Sequence, residues 1–224
     1  MNALTTANSD GAPHALDTTS NSGTHPAAGR VEITLAQVRD RAVLNLRTTP
    51  SGSVVPARIH AALGLMLPEK VFGSAIKNLQ GTEAGGATTA LWIGPGEWLM
   101  VCQDSSRNLL AAALSSALEG EPGALTDVGH GYAIFSVTGR VAPEVLAQGC
   151  GLDLDRAVFL PGHCAMTGLG KLRVVIHLLP AVAGAPSAFE IYVSRSFASS
   201  LWEFLCTASS EFGYRVAGAL EQPQ

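Results

Sequence analysis

The segment that most constrains the fold spans residues 90–102, with the sequence ALWIGPGEWLMVC. Two apolar runs flank Gly94-Pro95-Gly96-Glu97, and glycine and proline at such positions favour a tight turn. Two apolar runs joined by so short a connection are typical of a β-hairpin. We therefore predict antiparallel strands on either side of this turn.

Four more segments have the patterns of strands, namely residues 31–47, 132–137, 172–178 and 189–193. Apolar and polar residues alternate in parts of the first segment, and the last two segments flank a proline-bearing loop at 180–186. An alternation with a period of two is expected of a strand with one buried face. The predicted strands fall into antiparallel pairs.

Helical spacing of apolar residues occurs between these pairs. The predicted helices span residues 57–67, 105–118 and 143–148, and a last one begins after Ser196 and ends at Gly213. The apolar stripe of the last helix consists of Phe197, Leu201, Phe204, Leu205 and Ala208. Strand pairs with helices between them predict the α+β class, with antiparallel strands and packed helices.

Residues 1–30 have the composition of a disordered segment, because they are rich in small and polar residues and have no repeating apolar face. They also lack the basic start and apolar core of a secretory signal. We expect residues 31–220 to form the folded region, in which two subdomains would meet near residues 119–126.

The chain has 14% charged residues against 47% hydrophobic ones. The charged share is well below the usual value of about 25%, which favours a surface that is partly covered by a partner. A net charge of −4 without a Lys/Arg cluster argues against nucleic-acid binding, and no apolar run is long enough to span a membrane. Four cysteines in a chain of this length do not form a disulfide framework, so we expect a cytoplasmic protein.

Residues 148–168, QGCGLDLDRAVFLPGHCAMTG, combine two cysteines, a histidine and two aspartates. A structural zinc site needs two closely spaced ligand pairs, whereas Cys150 and Cys164 are 14 positions apart and only His163 lies beside them. Buried structural cysteines are the favoured interpretation. Asp153 and Asp155 resemble a pair of functional carboxylates, but two residues apart in a turn they are expected to accept hydrogen bonds from the loop backbone or to solvate the loop.

A cysteine–histidine nucleophile is the second interpretation of this segment. Neighbouring residues of a strand point to opposite faces, so His163 would not activate Cys164 in extended backbone. A pair of Cys164 with His177, or of Cys150 with His130, is open in space but has no support in the sequence. We expect His130 to fix a turn by hydrogen bonding and not to act as a base.

The other motifs of catalysis and cofactor binding are missing. Residues 167–171, TGLGK, do not complete a phosphate-binding loop, and neither G-x-G-x-x-G nor G-x-S-x-G occurs. We therefore predict no catalytic, cofactor-binding or metal-binding residue in this chain. Trp92, Trp98 and Trp202 would pack in the core or, as the alternative, lie at a partner interface.

Three long segments carry a resemblance to a known family. Residues 91–101, LWIGPGEWLMV, resemble the LWLGPDEWLL hairpin of the gamma subunit of heterotetrameric sarcosine oxidase. Residues 127–167 are similar to the family's stretch V-S-H-R-x-A-x-x-x-L-S-G … L-x-K-G-C-P-L-D-L … F-x-P-G-x-C-A-x-T, and residues 189–213 to F-x-L-x-V-x-R-S-F-A-x-x-L-W-x-W-L. The chain departs from the family at Gly96, Gly129, Gly131 and Gly151, where Asp, Ser, Arg and Pro are usual.

The resemblance implies a fold akin to part of the glycine-cleavage aminomethyltransferase. It also implies a complex of alpha, beta, gamma and delta subunits that oxidises sarcosine to glycine, with formaldehyde or methylene-tetrahydrofolate and hydrogen peroxide as products. FAD, FMN, NAD, tetrahydrofolate and zinc would all lie on other subunits. The gamma chain would stabilise the complex by packing on the alpha subunit, and we expect it to be inactive alone.

Two alternatives to this function remain open at the level of sequence. The chain could be a subunit of an oxidase or dehydrogenase of another N-methyl amino acid, because the sequence of a non-catalytic subunit does not show which substrate the complex uses. It could also be a stand-alone folate-binding protein, although residues 147–154, AQGCGLDL, share only Gly149-Cys150 with the K-G-C-Y-x-G-Q-E motif of such proteins.

Overall fold

The computed structural model describes residues 24–27, 29–78 and 86–217, and it confirms the α+β class. A five-stranded sheet contains, in spatial order, β4 (Ser74–Asn78), β5 (Ala87–Gly94), β6 (Glu97–Gln103), β3 (Arg41–Thr48) and β7 (Gly123–Asp127). A seven-stranded sheet contains, in spatial order, β1 (Thr24–His25), β12 (Tyr214–Val216), β2 (Ile33–Val38), β8 (Tyr132–Gly139), β11 (Ala188–Ser194), β10 (Leu172–Leu178) and β9 (Cys164–Leu169). The strand pairs in these ranges are antiparallel, except that β12 and β2 run parallel.

Within the described residues, four α-helices cover the outer faces of the two sheets. The helices α1 (Val55–Leu63) and α2 (Arg107–Leu118) pack on the five-stranded sheet, while α3 (Ala142–Ala147) and α4 (Ala198–Ser209) pack on the seven-stranded sheet. None of the helices in the described ranges has the length and apolar character needed to cross a membrane.

The inner faces of the two sheets pack against each other through a third apolar cluster. Successive side chains of a strand point to opposite faces, so Leu44 of β3 packs toward the helices while Val43 packs toward the other sheet. The inter-sheet cluster consists of Val38, Val43, Leu91, Leu99, Val101, Ile134, Cys164, Val175 and Tyr192. The fold therefore has four layers, in the order helix, sheet, sheet, helix.

The predicted hairpin is confirmed, with β5 and β6 joined through Pro95 and Gly96. Gly96 has φ +68°, and a Cβ built at this position would lie 2.5 Å from the carbonyl oxygen of Thr48. Glycine is required here for two reasons, since the conformation is left-handed and the backbone of the neighbouring strand β3 leaves no room for a Cβ.

The predicted strand over residues 31–47 is two strands in the structure. The chain reverses between β2 and β3 at Asp40, which has φ +57°. Aspartate adopts the left-handed region more readily than most residues, so the chain turns here without the glycine or proline that would have indicated a turn in the sequence. The reversal also moves the chain from one sheet to the other, and it returns to the seven-stranded sheet between Asp127 and Tyr132.

All four predicted helices are present in the structure, but the residues at which they begin and end differ from the prediction. Helix α1 ends at Leu63 and not at residue 67, because Gly64 takes φ +64° and its N–H caps the carbonyl of His60. Helix α4 begins at Ala198, after a short 3₁₀ turn at Arg195–Phe197, and Phe197 is half exposed and lies outside the buried stripe.

Most of the segment predicted to be disordered, residues 1–23 and 28, lies outside the described residues. Its described end differs from the prediction, because Thr24 and His25 form β1 against Arg215 and Tyr214 of β12. The ring of His25 stacks on that of Tyr214 with centroids 4.6 Å apart. This pairing gives the backbone N–H and C=O groups on the free side of β12 hydrogen-bond partners. The composition of residues 1–30 gives no sign of such a strand.

Candidate functional site

A row of polar side chains crosses the inner face of the seven-stranded sheet. Cys164 on β9 lies directly opposite His177 on β10, which lies opposite Glu190 on β11, which lies opposite Ser136 on β8. All four are buried, from 0% exposed for Cys164 to 7% for Glu190. We call these four residues the polar row. It is the place where the described part of the chain comes nearest to a catalytic arrangement.

Glu190 is fully engaged within the inter-sheet layer. Its Oε1 lies 3.3 Å from Nη2 of Arg41, which reaches across from the five-stranded sheet, and its Oε2 accepts a 2.5 Å hydrogen bond from the hydroxyl of Tyr192. Burial raises the pKa of Tyr192 well above its usual value, and the charge of Glu190 raises it further, so the hydroxyl stays a donor. Both carboxylate oxygens of Glu190 are therefore engaged by groups other than His177.

His177 is neutral at physiological pH. Burial lowers its pKa to about 4, against the opposing effect of the negative charge on Glu190. Its Nε2 lies 3.4 Å from Oγ of Ser74, while its Nδ1 has no hydrogen-bond partner among the described residues.

Ser74, His177 and Glu190 have the residue types of a hydrolytic triad, but they do not form the hydrogen bonds of one. In such a triad the carboxylate accepts a hydrogen bond from the imidazole, and the imidazole accepts the serine proton. Here Glu190 bonds Arg41 and Tyr192, and the hydroxyl of Ser74 donates to the carbonyl of Gly162. The group is therefore a set of packed polar side chains and not a nucleophile with its base.

Cys164 and His177 are brought together, as one of the sequence interpretations allowed, but not as a reactive pair. The sulfur of Cys164 donates to the carbonyl oxygens of Gly73 at 2.9 Å and Trp92 at 3.5 Å. Burial raises its pKa to about 12. Because the thiolate is the nucleophile and the metal ligand, a thiol with this pKa is suited to neither role at neutral pH.

The remaining cysteines give no metal site either. Burial raises the pKa of Cys102 to about 11, and the sulfur of the half-buried Cys150 lies 4.0 Å from Oγ1 of Thr167. Within residues 24–78 and 86–217, leaving out residue 28, no three histidine, cysteine or acidic side chains come close enough to hold a metal ion.

The loop before β9 is held by its own polar side chains. Nδ1 of His163 accepts a hydrogen bond from the N–H of Leu160, and its ring stacks on Phe72 with centroids 5.7 Å apart. Asp153 and Asp155 accept hydrogen bonds from the N–H groups of residues 155 and 157 at 2.9 and 2.8 Å. These contacts fit the structural interpretation of residues 148–163.

The turn at His130 is organised differently from the sequence interpretation. Its fixing side chain is Asp127, whose Oδ1 accepts a hydrogen bond from the N–H of Gly129 and whose Oδ2 pairs with Arg107. His130 itself is exposed. An aspartate two residues before a glycine is a known turn pattern, so the signal was present in the sequence.

The three tryptophans occupy different environments. Trp98 is 3% exposed, and its indole N–H donates to the carbonyl of Pro68 at 2.7 Å. Trp202 is 6% exposed and packs on Phe135. Both belong to the core of the chain and leave little surface for a partner, whereas Trp92 is half-buried and its interface role stays a prediction.

Two packed sheets with helices on their outer faces define the class of fold. The glycine cleavage system aminomethyltransferase T from Bartonella henselae is similar, with a TM-score of 0.61 over 89% of this chain and 56% of that chain, at 15% sequence identity. The chain thus has the fold of part of an aminomethyltransferase.

Residues 47–211 match the family described as "Sarcosine oxidase, gamma subunit family". The match covers most of the chain, and the chain belongs to this family. The "Sarcosine oxidase subunit gamma" of Arthrobacter sp. is 33% identical over 146 residues, which is 64% of this chain and 66%, just under two thirds, of that protein. The protein of the same name from Corynebacterium sp. (strain U-96) is 29% identical over 185 residues, 83% of each chain.

A solved structure agrees with the family match. A chain of "Heterotetrameric Sarcosine Oxidase from Corynebacterium sp. U-96 in complex with pyrrole 2-carboxylate" is similar with a TM-score of 0.69 and 28% identity, over 83% of this chain and 88% of that chain. The resemblance predicted from three sequence segments is confirmed.

Proposed function

We propose that this chain is the gamma subunit of a heterotetrameric sarcosine oxidase and that it supports the assembly without a reactive centre of its own. The complex would oxidatively demethylate sarcosine to glycine and release hydrogen peroxide together with formaldehyde or methylene-tetrahydrofolate. Membership of the gamma subunit family and the TM-score of 0.69 with a chain of a heterotetrameric sarcosine oxidase support this function.

The observation that carries the non-catalytic role is the state of the polar row. The thiol of Cys164 is protonated and bonded to backbone carbonyls, His177 is neutral and buried, and both carboxylate oxygens of Glu190 are engaged. A catalytic group must reach its substrate with a suitable protonation state. The burial of these groups between two sheets keeps them from a substrate, and the protonated thiol of Cys164 is not a nucleophile.

The cofactors of the reaction belong, in this proposal, to other subunits. These are FAD, FMN, NAD, tetrahydrofolate and zinc. Two observations support the assignment: the sequence lacks the G-x-G-x-x-G pattern for a dinucleotide, and the described residues contain no group of three potential metal ligands.

The partners would be the alpha, beta and delta subunits, with alpha providing the main contact. Support comes from the low charge content of 14% and from large apolar side chains left at the surface, including Met66 and Val182 at 70% exposed and Val71 at 65%. Exposed apolar surface of this kind is commonly covered in an assembly. The four cysteines are free, which fits a reducing compartment, and we place the complex in the cytoplasm.

The experiment is purification of the complex through an affinity tag on this chain, from cells that also produce the other three subunits. We expect flavin absorbance and sarcosine-dependent peroxide in the tagged complex. A parallel preparation that lacks only this chain, purified through a tag on the alpha subunit, should contain less assembled complex but the same cofactors per alpha and beta subunit. The non-catalytic role would be contradicted if the remaining subunits stayed assembled but bound less of a cofactor per subunit than they do in the full complex.

The same preparation decides between substrates. Sarcosine and other N-methyl amino acids are compared as the variable substrate, with kcat/KM as the readout. A preference for sarcosine supports the proposed oxidase, and a strong preference for a different N-methyl amino acid moves the chain to a related enzyme without changing its subunit role.

A further inference from the structure

A shallow, widely open groove lies at one edge of the inter-sheet core. Its volume is about 550 Å³, and it lies where the end of β5 meets the hairpin formed by β9 and β10. Ile93 and Met166 line it, and both are only partly buried where they pack against the inter-sheet cluster. At this edge the apolar layer between the sheets is left incomplete.

Two cations stand on the rim of this groove. Lys171 lies in the turn between β9 and β10, and Arg173 lies two residues later on β10; both are exposed. Nε and Nη2 of Arg173 lie 3.0 and 2.7 Å from the sulfur of Met166. No carboxylate among the described residues forms a salt bridge with either cation.

A thioether is a weak and uncharged acceptor, so its contact with the guanidinium of Arg173 does not neutralise the positive charge. The positive charge is local, because the whole chain carries a net charge of −4. The groove therefore combines an apolar floor with an unpaired positive rim on an otherwise acidic chain. Arginine and methionine, which both line this groove, are enriched at interfaces between proteins.

Building on the proposed function, we propose that this groove is the docking site for an acidic segment of another oxidase subunit. The segment places an apolar side chain on Ile93 and Met166 and its carboxylates on Lys171 and Arg173. An apolar side chain in the groove completes the inter-sheet layer, and a carboxylate forms a forked pair with the planar guanidinium. A small anion would satisfy the charges but would leave the apolar floor uncovered.

The first test is zero-length cross-linking of the wild-type tagged complex with a carbodiimide, which joins a lysine amine to a carboxylate in contact with it. Mass spectrometry should find Lys171 joined to an aspartate or glutamate of another subunit. The variant Lys171→Arg keeps the charge and removes the amine, so it should lose this cross-link while keeping the other subunits bound. A Lys171 cross-link only to carboxylates of its own chain would overturn the proposal.

The second test is charge reversal with a matched control. The double variant Lys171→Glu/Arg173→Glu should bind the other subunits about tenfold more weakly or worse. The control Arg156→Glu/Arg215→Glu changes the net charge equally at exposed positions away from the groove and should bind as the wild type does. Equal binding by both double variants would overturn the docking site alone, whereas a wild-type chain that recovers no other subunit would overturn the proposed function and this inference with it.

Discussion

Cys164 and His177 lie directly opposite each other on neighbouring strands, yet the sulfur of Cys164 donates to backbone carbonyls and not to the imidazole. Burial pushes both groups toward their uncharged forms, raising the pKa of the thiol to about 12 and lowering that of the histidine to about 4. A catalytic cysteine–histidine pair has the opposite arrangement, with a thiolate beside an imidazolium. The pair is therefore a packing feature of the inter-sheet core.

The chemical reactivity of Cys164 should show this directly. We expect the thiol of folded protein at pH 8 to react with iodoacetamide at least a hundredfold more slowly than a free thiol, because it is buried and protonated. The half-buried Cys150 provides an internal comparison and should be labelled before Cys164. Labelling is followed by mass spectrometry before and after unfolding in urea. Modification of Cys164 at the rate of an exposed cysteine would contradict the account.

His177 should make the stability of the chain depend on pH. Its folded pKa of about 4 lies below the unfolded value near 6.5, so the unfolded state binds more protons between these two values. The stabilising contribution is complete above about pH 6.5 and is lost as the pH falls toward 4. Between pH 7.5 and pH 5 the loss should be about 2 kcal/mol.

The measurement is the free energy of unfolding in urea at these two pH values. His177→Leu should flatten the pH dependence by about the same amount. Val175→Ala removes a neighbouring buried side chain that does not titrate, so it should lower the free energy of unfolding similarly at both pH values. An unchanged pH dependence in His177→Leu would show that this residue does not control it.

The ion pair between Arg41 and Glu190 should be worth more intact than with either partner removed. Arg41→Met leaves the buried carboxylate uncompensated and should lower the free energy of unfolding by about 3 kcal/mol or more. The double variant Arg41→Met/Glu190→Gln should recover part of that loss, because no buried charge remains. Chemical unfolding of the single and double variants gives the coupling energy, and strictly additive effects would refute the claim that the two groups neutralise each other.

Gly96 should tolerate no side chain. Gly96→Ala places a Cβ 2.5 Å from the carbonyl oxygen of Thr48 and forces a left-handed conformation, which should cost about 1–3 kcal/mol. Gly94→Ala, in the same turn, meets no atom closer than 3.9 Å and should cost much less. The comparison uses thermal unfolding of the two variants side by side. A similar loss in both would point to a general weakness of the turn.

The buried hairpin was predictable from sequence, whereas the edges of the sheets were not. The turn residues and apolar runs of residues 90–102 are sufficient to define β5 and β6. The strands that the patterns missed include β4, β7 and β9, each of which lies at the edge of its sheet. Edge strands are exposed on one side and are often short and polar, so they lack the alternation that identifies a central strand. In β4 and β7 most residues are exposed.

The polar row was visible residue by residue but not as a group. His177 and Glu190 interrupt apolar strands, which marks them as unusual, yet the sequence does not give the register between β9, β10 and β11. Register depends on which faces are buried and on the connecting turns, and both are set by the whole fold. Arg41, which pairs with Glu190 from the other sheet, gave no signal in the sequence because the contact joins positions 149 residues apart.

The most direct test of a supporting role is the turnover of complexes purified through a tag on this chain, with Ser74→Ala or Cys164→Ala in place of the wild-type residue. Peroxide formation from sarcosine is measured per flavin, in preparations matched for subunit composition. The account predicts the wild-type kcat in both variants. A fall of a hundredfold or more in either variant, in a fully assembled complex with its flavins bound, would contradict it.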